Sequence, residues 1–347
     1  MTVRSSGLEA ALQRAWLRRG ALALALWPLS MILRLLVGLR KSLYMLGLRK
    51  PVSLPVPVVV VGNLIAGGAG KTPTVIAVVR CLQAAGRSPG VISRGYGRQA
   101  DAPPVLEVQP DSPAARVGDE PLLLRLRLKV PVFVGADRVA VASALLRSHP
   151  GVDVLVSDDG LQHLRLPRAA QVVVFDERGA GNGWMLPAGP LREPLAKQAP
   201  PQTVILYNAP QPTTPWPGHL ATRRVSGLIG LADWWAGRPA TMAALTALIA
   251  EGKPVIAAAG VSQPERFFGM LRAAGLDITP LPLPDHHAYA TLPWPSDAPH
   301  VVVTEKDAVK LRPEQFAAGP ASTRVWVAPL DFCGDASFDT ALMALLH

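Results

Sequence analysis

The 347-residue sequence contains few cysteines, few acidic residues compared with basic ones, and few asparagines. Two cysteines, Cys81 and Cys333, cannot form a disulfide-stapled scaffold, and they are compatible with a reducing compartment. Only 17% of the residues are charged, but 49% are hydrophobic, which is enough for a sizeable core and excludes an intrinsically disordered protein. At roughly 100–200 residues per domain, the length predicts two domains.

The basic excess is concentrated at one end of the chain. Residues 1–50 hold nine basic side chains and one acidic side chain, and so carry eight of the ten net positive charges. The basic residues are Arg4, Arg14, Arg18, Arg19, Arg34, Arg40, Lys41, Arg49 and Lys50, and the acidic residue is Glu9. A nucleic-acid enzyme more often spreads basic residues along a groove beside aromatic ones, so we expect no nucleic-acid partner.

The basic residues flank an apolar run, residues 21–39, which contains Pro28 and is interrupted by Arg34. A spanning helix needs about 20 mostly apolar residues, which this run reaches only if Arg34 is tolerated. A helix lying in the membrane interface, with its basic residues near anionic lipid, is equally compatible, and a buried core helix is the third reading. A secretory signal is disfavoured because no small-x-small cleavage site follows. We therefore predict a membrane-associated helical segment over residues 1–50.

The remaining sequence alternates short β-branched runs with helical patterns. The predicted strands are Val56–Val61, Gly90–Ser93, Pro131–Val134, Val152–Ser157, Val172–Phe175, Thr203–Tyr207, Val255–Ala259, His300–Thr304 and Arg324–Val327. The predicted helices include Thr74–Ala85, Arg138–Leu146 and Pro264–Ala274. This alternation predicts an α/β fold with a parallel sheet covered on both faces. A Pro-rich stretch at residues 208–219 suggests a boundary between a core domain, 51–215, and a smaller α/β domain, 216–347.

The first chemical motif follows the first predicted strand. Residues 62–73 read Gly-Asn-Leu-Ile-Ala-Gly-Gly-Ala-Gly-Lys-Thr-Pro, and their end matches a P-loop, in which amides cradle phosphates and a lysine reaches them. Ile65 stands where the generic pattern has glycine, and Gly67 and Gly68 supply the backbone freedom. Pro73 is acceptable in a first helical turn. The alternative is a glycine-rich turn with an incidental lysine.

Two further acidic motifs suggest a phosphate–Mg²⁺ site. Asp158 and Asp159 follow the predicted strand Val152–Ser157, at the sheet edge where α/β proteins bind ligands. In a P-loop enzyme an acid at this position holds Mg²⁺ together with the P-loop threonine. Asp119 and Glu120 precede an apolar helix and belong either to this site or to an ordinary helix cap.

A histidine pair, His286 and His287, lies in a Pro-rich loop. Adjacent side chains seldom share one metal ion, and no cysteine or third ligand is nearby in sequence. General acid–base or charge-tuning work by one histidine is the better interpretation.

Together these motifs resemble the tetraacyldisaccharide 4′-kinase family. The resemblance rests on the P-loop and on seven further strings in family order: Ser93–Gly97, Val117–Pro121, Ser157–His163, Gly181–Glu193, Pro264–Phe268, Asp285–His287 and Thr304–Asp307. The strings Ser-Asp-Asp-Gly-Leu-Gln-His and Pro-Ala-Gly-Pro-Leu-Arg-Glu are more specific than the P-loop, and the family also lacks glycine at the Ile65 position.

The resemblance implies ATP-dependent phosphorylation of the 4′-hydroxyl of an acylated disaccharide 1-phosphate in lipid A synthesis. It implies P-loop-like α/β domains with a cleft, ATP and Mg²⁺ as cofactors, and a position at the cytoplasmic face of the bacterial inner membrane. The second domain is expected to close over the active site, bringing His286 near Asp119.

The resemblance also assigns provisional roles. Asp119 is the expected base, tuned by His286, with Asp159 assisting or holding the geometry. The expected phosphate-binding residues are Gly67, Gly68, Ala69, Gly70, Lys71, Thr72 and Pro73. The expected Mg²⁺ ligands are Thr72, Asp158 and Glu120. The candidate lipid-phosphate contacts are Arg94, Arg98, His163 and Arg192.

Two rival functions stay open at this stage. One is a membrane-associated P-loop ATPase or GTPase switch protein. Guanine recognition is disfavoured because none of the three asparagines, Asn63, Asn182 and Asn208, belongs to an Asn-Lys-x-Asp motif. The other is a non-catalytic membrane-bound binding module, which the intact motif residues disfavour.

Overall fold

The computed structural model describes residues 11–316 and 323–346. Arg4 and Glu9 of the basic terminal segment lie outside these ranges, as does the side chain of Cys333. The helices are α1 Ala21–Met45, α2 Lys71–Ala84, α3 Ala114–Val117, α4 Asp119–Leu128, α5 Arg138–Ser148, α6 Leu231–Trp235, α7 Met242–Glu251, α8 Pro264–Ala273, α9 Glu305–Ala308 and α10 Ala336–Ala344.

The strands match the predicted β-branched runs closely and add five that the sequence did not indicate. They are β1 Val58–Gly62, β2 Pro89–Ser93, β3 Val105–Glu107, β4 Val132–Gly135, β5 Val154–Asp158, β6 Ala170–Asp176, β7 Thr203–Asn208, β8 His219–Val225, β9 Ile229–Gly230, β10 Val255–Ala259, β11 Thr279–Pro282, β12 His300–Val303, β13 Arg324–Val327 and β14 Leu330–Gly334. The α/β class is thereby confirmed.

The chain divides into two compact units whose segments interleave along the sequence. Unit 1 comprises Met1–Pro89, Pro150–Thr222 and Cys333–His347, and unit 2 comprises Gly90–His149 and Arg223–Phe332. The predicted boundary at 215/216 lies close to the point where the chain passes from unit 1 to unit 2, between Thr222 and Arg223. Residues 90–149, which the sequence placed in the same domain as the P-loop, belong instead to unit 2 with the later part of the chain. One physical reason is the ion pair between Arg127 of α4 and Glu305 of α9, with Nη1 and Oε1 2.7 Å apart.

Unit 1 contains parallel strands in the order β8-β7-β6-β1-β5. All five residues of β1 and all seven of β6 are buried, as expected for central strands covered on both faces. In this register Val61 lies beside Asp158, and Asp176 lies beside Asn208. The carboxyl ends of these strands therefore bring their terminal side chains to one edge of the sheet.

Unit 2 contains β2 and β4 as a parallel pair, with β3 antiparallel to β4, and a separate five-stranded sheet. That sheet has the order β11-β10-β12-β13-β9, in which only β9 runs antiparallel. Phe267, Phe268 and Leu271 of α8 enter the buried cluster that covers β10. His286 follows β11 and Lys306 follows β12, so both come after the carboxyl ends of parallel strands of this sheet.

Helix α1 is long and apolar enough to cross a membrane, with a mean hydropathy of 2.0 over its most apolar stretch. Only 11% of that stretch is buried, so α1 is not a core helix of unit 1. It contacts unit 1 near its middle, where the Ser30 hydroxyl donates to the Met185 carbonyl at 2.8 Å and accepts from the Ala188 amide at 3.0 Å. The exposed part carries large apolar residues, including Leu35 at 73% exposure.

Candidate active site

The P-loop of unit 1 turns directly from β1 into α2. Gly70 is the residue before the helix and has a φ of 100°, a left-handed conformation that glycine adopts without strain. Lys71 and Thr72 are then the first two residues of α2, and Pro73 follows in its first turn. The expected strand–loop–helix context is present, and it aims the positive end of the helix dipole at the loop.

The side chain of Lys71 lies over the end of the sheet. Its Nζ is 3.3 Å from Oδ1 of the fully buried Asn63 and 3.7 Å from Oδ1 of Asp159. These two contacts hold the Lys71 side chain beside the loop. It can exchange these partners for phosphate oxygens when a nucleotide binds.

Thr72 and Asp158 provide oxygen donors suited to Mg²⁺. Both are buried, with 4% and 3% exposure, and Asp158 ends β5 beside β1. Mg²⁺ usually keeps waters and binds one or two carboxylates plus substrate phosphates, so two protein donors suffice. Within residues 11–316 and 323–346 no group of three or more His, Cys, Asp or Glu is arranged to hold a metal on its own.

Asp159 and Arg192 form an ion pair beside Lys71. Nη1 of Arg192 lies 3.0 Å and 3.2 Å from the two carboxylate oxygens of Asp159, whose φ is 50°. Asp159 follows β5 in this left-handed conformation, whereas Asp158 is the last residue of the strand. Arg192, expected to bind lipid phosphate, thus has a protein partner that an incoming phosphate would have to replace.

The expected acid–imidazole pair lies within unit 2. Nδ1 of His286 is 2.8 Å from Oδ2 of Asp119, the buried first residue of α4. The sequence had suggested that this contact requires one domain to close over the other, but both residues belong to the same unit. The backbone of His286 is also fixed, with a φ of 59° and its amide donating to the Gly260 carbonyl.

The surroundings favour the charged forms of both partners. Burial raises the pKa of Asp119, but the His286 hydrogen bond and the positive charges of Lys306, His286 and Lys310 outweigh it and hold the pKa below its usual 3.8. The hydrogen bond to Asp119 raises the pKa of His286 above its usual 6.5, against the opposing effect of burial. Both shifts favour the charged forms, the carboxylate of Asp119 and the imidazolium of His286.

Two lysines that the sequence analysis left without a role complete this cluster. Lys306 pairs with Glu120, and Nζ of Lys310 lies 3.8 Å from Oδ2 of Asp119. Glu120, expected beside Mg²⁺, thus has a lysine partner in the same unit. Lys306 lies within the family string Thr304–Asp307, so the sequence marked this lysine without indicating that it pairs with Glu120. Lys310 lies just beyond that string.

The remaining predicted substrate residues fall in both units. Arg94 and Arg98 belong to unit 2, where Arg94 is exposed and Nη2 of Arg98 donates to the Pro104 carbonyl at 3.4 Å. His163 belongs to unit 1 and is half-buried. Its carbonyl accepts from Arg168, which helps to fix the loop after Asp159.

A parallel α/β sheet with a P-loop and paired acids at its carboxyl edge defines a P-loop phosphotransferase. The comparison with protein families makes the class specific. Residues 22–347 match the family described as tetraacyldisaccharide-1-P 4′-kinase, and the chain belongs to that family.

Curated relatives and one solved structure agree with this membership. The tetraacyldisaccharide 4′-kinase of Leptothrix cholodnii is 54% identical over 98% of this chain and 96% of its own length. That of Methylibium petroleiphilum is 54% identical over 99% of this chain and 96% of its own length. The crystal structure of LpxK from Aquifex aeolicus in complex with ATP matches with a TM-score of 0.75 and 25% identity, covering 94% of this chain and all of that one.

Proposed function

We propose that this chain transfers the γ-phosphoryl group of ATP to the 4′-hydroxyl of tetraacyldisaccharide 1-phosphate, a step that forms lipid IVA in lipid A synthesis. Family membership supports the reaction class. The observation that carries the proposal is the position of Lys71, at the junction of P-loop and α2 and 3.7 Å from Asp159. A phosphoryl-transfer enzyme needs this clustering of lysine, helix N-terminus and acids at one sheet edge.

In unit 1 the residues Gly67, Gly68, Ala69, Gly70 and Lys71 hold the phosphates. The loop amides and the Lys71 ammonium offset the negative charge that the transferred group spreads over its oxygens. Thr72 and Asp158 would hold Mg²⁺, which would supply positive charge to offset that of the phosphates. Glu120, a further metal candidate by family resemblance, lies in unit 2, where it pairs with Lys306.

In unit 2 we assign Asp119 as the group that accepts the proton of the sugar hydroxyl. The low pKa of Asp119 keeps it ionised and ready to accept a hydrogen bond, but also makes it a weak base in the ground state. His286 orients the carboxylate through Nδ1 and stabilises it as imidazolium. The sugar hydroxyl therefore loses its proton to Asp119 late in the reaction, after its oxygen has begun to bond to phosphorus and has become more acidic.

The lipid phosphate needs guanidinium or imidazole donors. Exposed Arg94 is available for a bidentate contact, and Arg98, His163 and Arg192 are further candidates. Arg192 would exchange its Asp159 partner for the 1-phosphate.

Helix α1 is proposed to place the enzyme at the cytoplasmic face of the inner membrane, where its acylated substrate resides. The docking of Ser30 onto the 185–188 loop holds the helix middle against unit 1, which favours a helix lying in the interface over a free-standing span. The exposed leucines would enter the acyl boundary while the basic residues meet anionic headgroups.

The proposed function is tested by incubating purified full-length protein in detergent with γ-labelled ATP, Mg²⁺ and the disaccharide 1-phosphate. We expect a bis-phosphorylated product, identified by mass, with the new phosphate at the 4′ position. ATP hydrolysis that proceeds equally fast without the acceptor, and with no labelled lipid, would instead establish the switch-ATPase alternative.

A further inference from the structure

The four carbonyls of residues 66–69 in the P-loop all accept hydrogen bonds from side chains of unit 1. Arg178 supplies two of these bonds. Its Nη1 donates to the Ala66 carbonyl at 3.2 Å and its Nη2 to the Gly68 carbonyl at 3.3 Å. The planar guanidinium thus spans two alternate peptide groups of the loop, which a single ammonium group cannot do.

Two of the chain's three asparagines supply the other two bonds. Nδ2 of Asn63 donates to the Gly67 carbonyl at 3.1 Å, and Nδ2 of Asn208 donates to the Ala69 carbonyl at 3.2 Å. Both asparagines are less than 9% exposed, so water does not compete strongly for these bonds.

The donors are mounted on ends of parallel strands. Arg178 is held by Asp176, the fully buried last residue of β6, through contacts of 3.1 Å and 3.0 Å from Nε to the two carboxylate oxygens. Asn208 ends β7 and is the register partner of Asp176. Asn63 follows β1 directly. The loop is therefore hydrogen-bonded by side chains located at the ends of three neighbouring strands, β7, β6 and β1.

The hydrogen bonds to the carbonyls of residues 66–69 also fix the direction of the loop's amide groups. In a planar trans peptide the C=O of one residue and the N–H of the next point in opposite directions. Turning the carbonyls of residues 66–69 toward the protein turns the amides of residues 67–70 away from it. In the part of the chain that the structure describes, those four amides donate to no main-chain carbonyl. A glycine-rich loop would otherwise sample many orientations.

We propose that Arg178 and Asn208 are positioning residues that pre-orient the P-loop amides for the nucleotide's phosphates. This proposal rests on the function proposed above, which makes a nucleotide the ligand of the loop. Neither residue touches the phosphates in this account. They act by lowering the ordering cost that the loop would meet when a di- or triphosphate binds.

The test compares Arg178→Lys, Arg178→Gln and Asn208→Leu with the full-length parent in detergent. Dissociation constants for ADP and adenosine are measured with Mg²⁺ by competition against a fluorescent adenine nucleotide. We expect ADP affinity to fall about tenfold in each variant. Adenosine has no phosphate for the amides to bind, so its affinity should stay unchanged. A purely structural defect would not separate the two ligands.

Arg87→Lys is the matched control, because Arg87 pairs with Asp153 at the opposite end of β5, with Nε and Oδ2 3.0 Å apart. It should leave both affinities unchanged. Arg178→Lys keeps the charge but not the two-carbonyl geometry, so parental ADP affinity in this variant would overturn the proposal. If Arg178→Gln fails to fold because Asp176 loses the guanidinium group, the neutral substitution Asn208→Leu still tests the proposal. A ratio of ADP affinity to adenosine affinity equal to the parent's in Asn208→Leu would also overturn the proposal.

Kinase assays on the same proteins separate this proposal from the proposed function. A higher KM for ATP with an unchanged KM for the lipid supports the positioning role. If the parent protein makes no phosphorylated lipid, the lipid kinase function is wrong. The positioning role of Arg178 and Asn208 is still supported in that case if their variants bind ADP more weakly than the parent.

Discussion

At the residue scale, the opposite pKa shifts of Asp119 and His286 define when their ion pair stabilises unit 2. The carboxylate contributes fully above its ordinary pKa of 3.8, and its contribution is lost as the pH falls through the depressed value. The imidazolium contributes fully below its ordinary pKa of 6.5, and its contribution is lost as the pH rises through the raised value. The pair is therefore most stabilising between those two ordinary values.

Replacing His286 with alanine should shift the acid limb of the rate profile. The hydrogen bond and charge that lower the pKa of Asp119 would be gone, so this pKa should rise and the acid limb of kcat/KM should move to higher pH. Turnover at neutral pH should fall about 10²- to 10⁴-fold. A pH–rate profile checks this expectation, with His287→Ala as the neighbouring control. An unmoved acid limb would show that His286 does not tune Asp119.

Replacing Lys71 with alanine should remove most phosphoryl transfer while the protein stays folded. The ammonium group offsets charge on the transferred phosphoryl, and losing one such donor typically costs about 10²- to 10³-fold in kcat. Steady-state kinetics and far-UV circular dichroism measure the two expectations. Near-parental turnover in this variant would reject the P-loop assignment.

The sequence named the candidate residues and one partnership among them, that of Asp119 with His286, but not the other contacts that these residues make. Motifs pointed to Lys71, Asp158 and Asp119 because each sits at a strand end or helix start, and to His286 because it belongs to a histidine pair in a Pro-rich loop. The pairing of Lys306 with Glu120 depends on how α9 packs on α4, which no local pattern encodes. Tertiary ion pairs of this kind become visible only in the folded chain.

At the element scale, buried parallel strands were predicted well because their apolar runs are nearly continuous. Val255–Ala259 and Arg324–Val327 match residue for residue. Strand β8 was missed because its sequence, His-Leu-Ala-Thr-Arg-Arg-Val, is rich in polar and basic side chains and only partly buried. Its pairing is decided by its neighbour β7 instead of its own propensity.

Helix α1 offers a prediction about docking. Ser30→Ala should weaken the attachment of α1 to unit 1, since the Ala188 amide loses its partner and the Met185 carbonyl keeps only the hydrogen bond from the Gly189 amide. A buried amide left unsatisfied costs about 1–3 kcal/mol. Limited proteolysis in detergent should then cleave at or near α1 faster than in the parent. Ser42→Ala, at an exposed position of the same helix, is the control, and equal cleavage rates in both variants would contradict the docking role.

At the scale of the whole molecule, the basic terminal segment is connected to the P-loop within unit 1. Lys41 of α1 pairs with Glu193, whose other oxygen accepts from Gln162 at 3.0 Å. Arg192 and its partner Asp159 continue the connection to Lys71. The segment proposed to contact the membrane and the proposed nucleotide site thus share one polar network.

The basic residues of this segment that lie outside the network should govern attachment to anionic membranes. Arg34, Arg49 and Lys50 are exposed, and each basic residue near an anionic surface contributes about 1 kcal/mol. Replacing all three with glutamine should weaken co-sedimentation with vesicles containing anionic phospholipid by about 10²-fold, and the deficit should shrink at high salt because the attraction is screened. Neutralising three exposed basic residues of unit 2, Arg238, Lys253 and Arg324, removes the same charge elsewhere and should change binding far less. Equal losses for the two triple variants would mean that net charge, and not the position of the charges around α1, draws the protein to the bilayer.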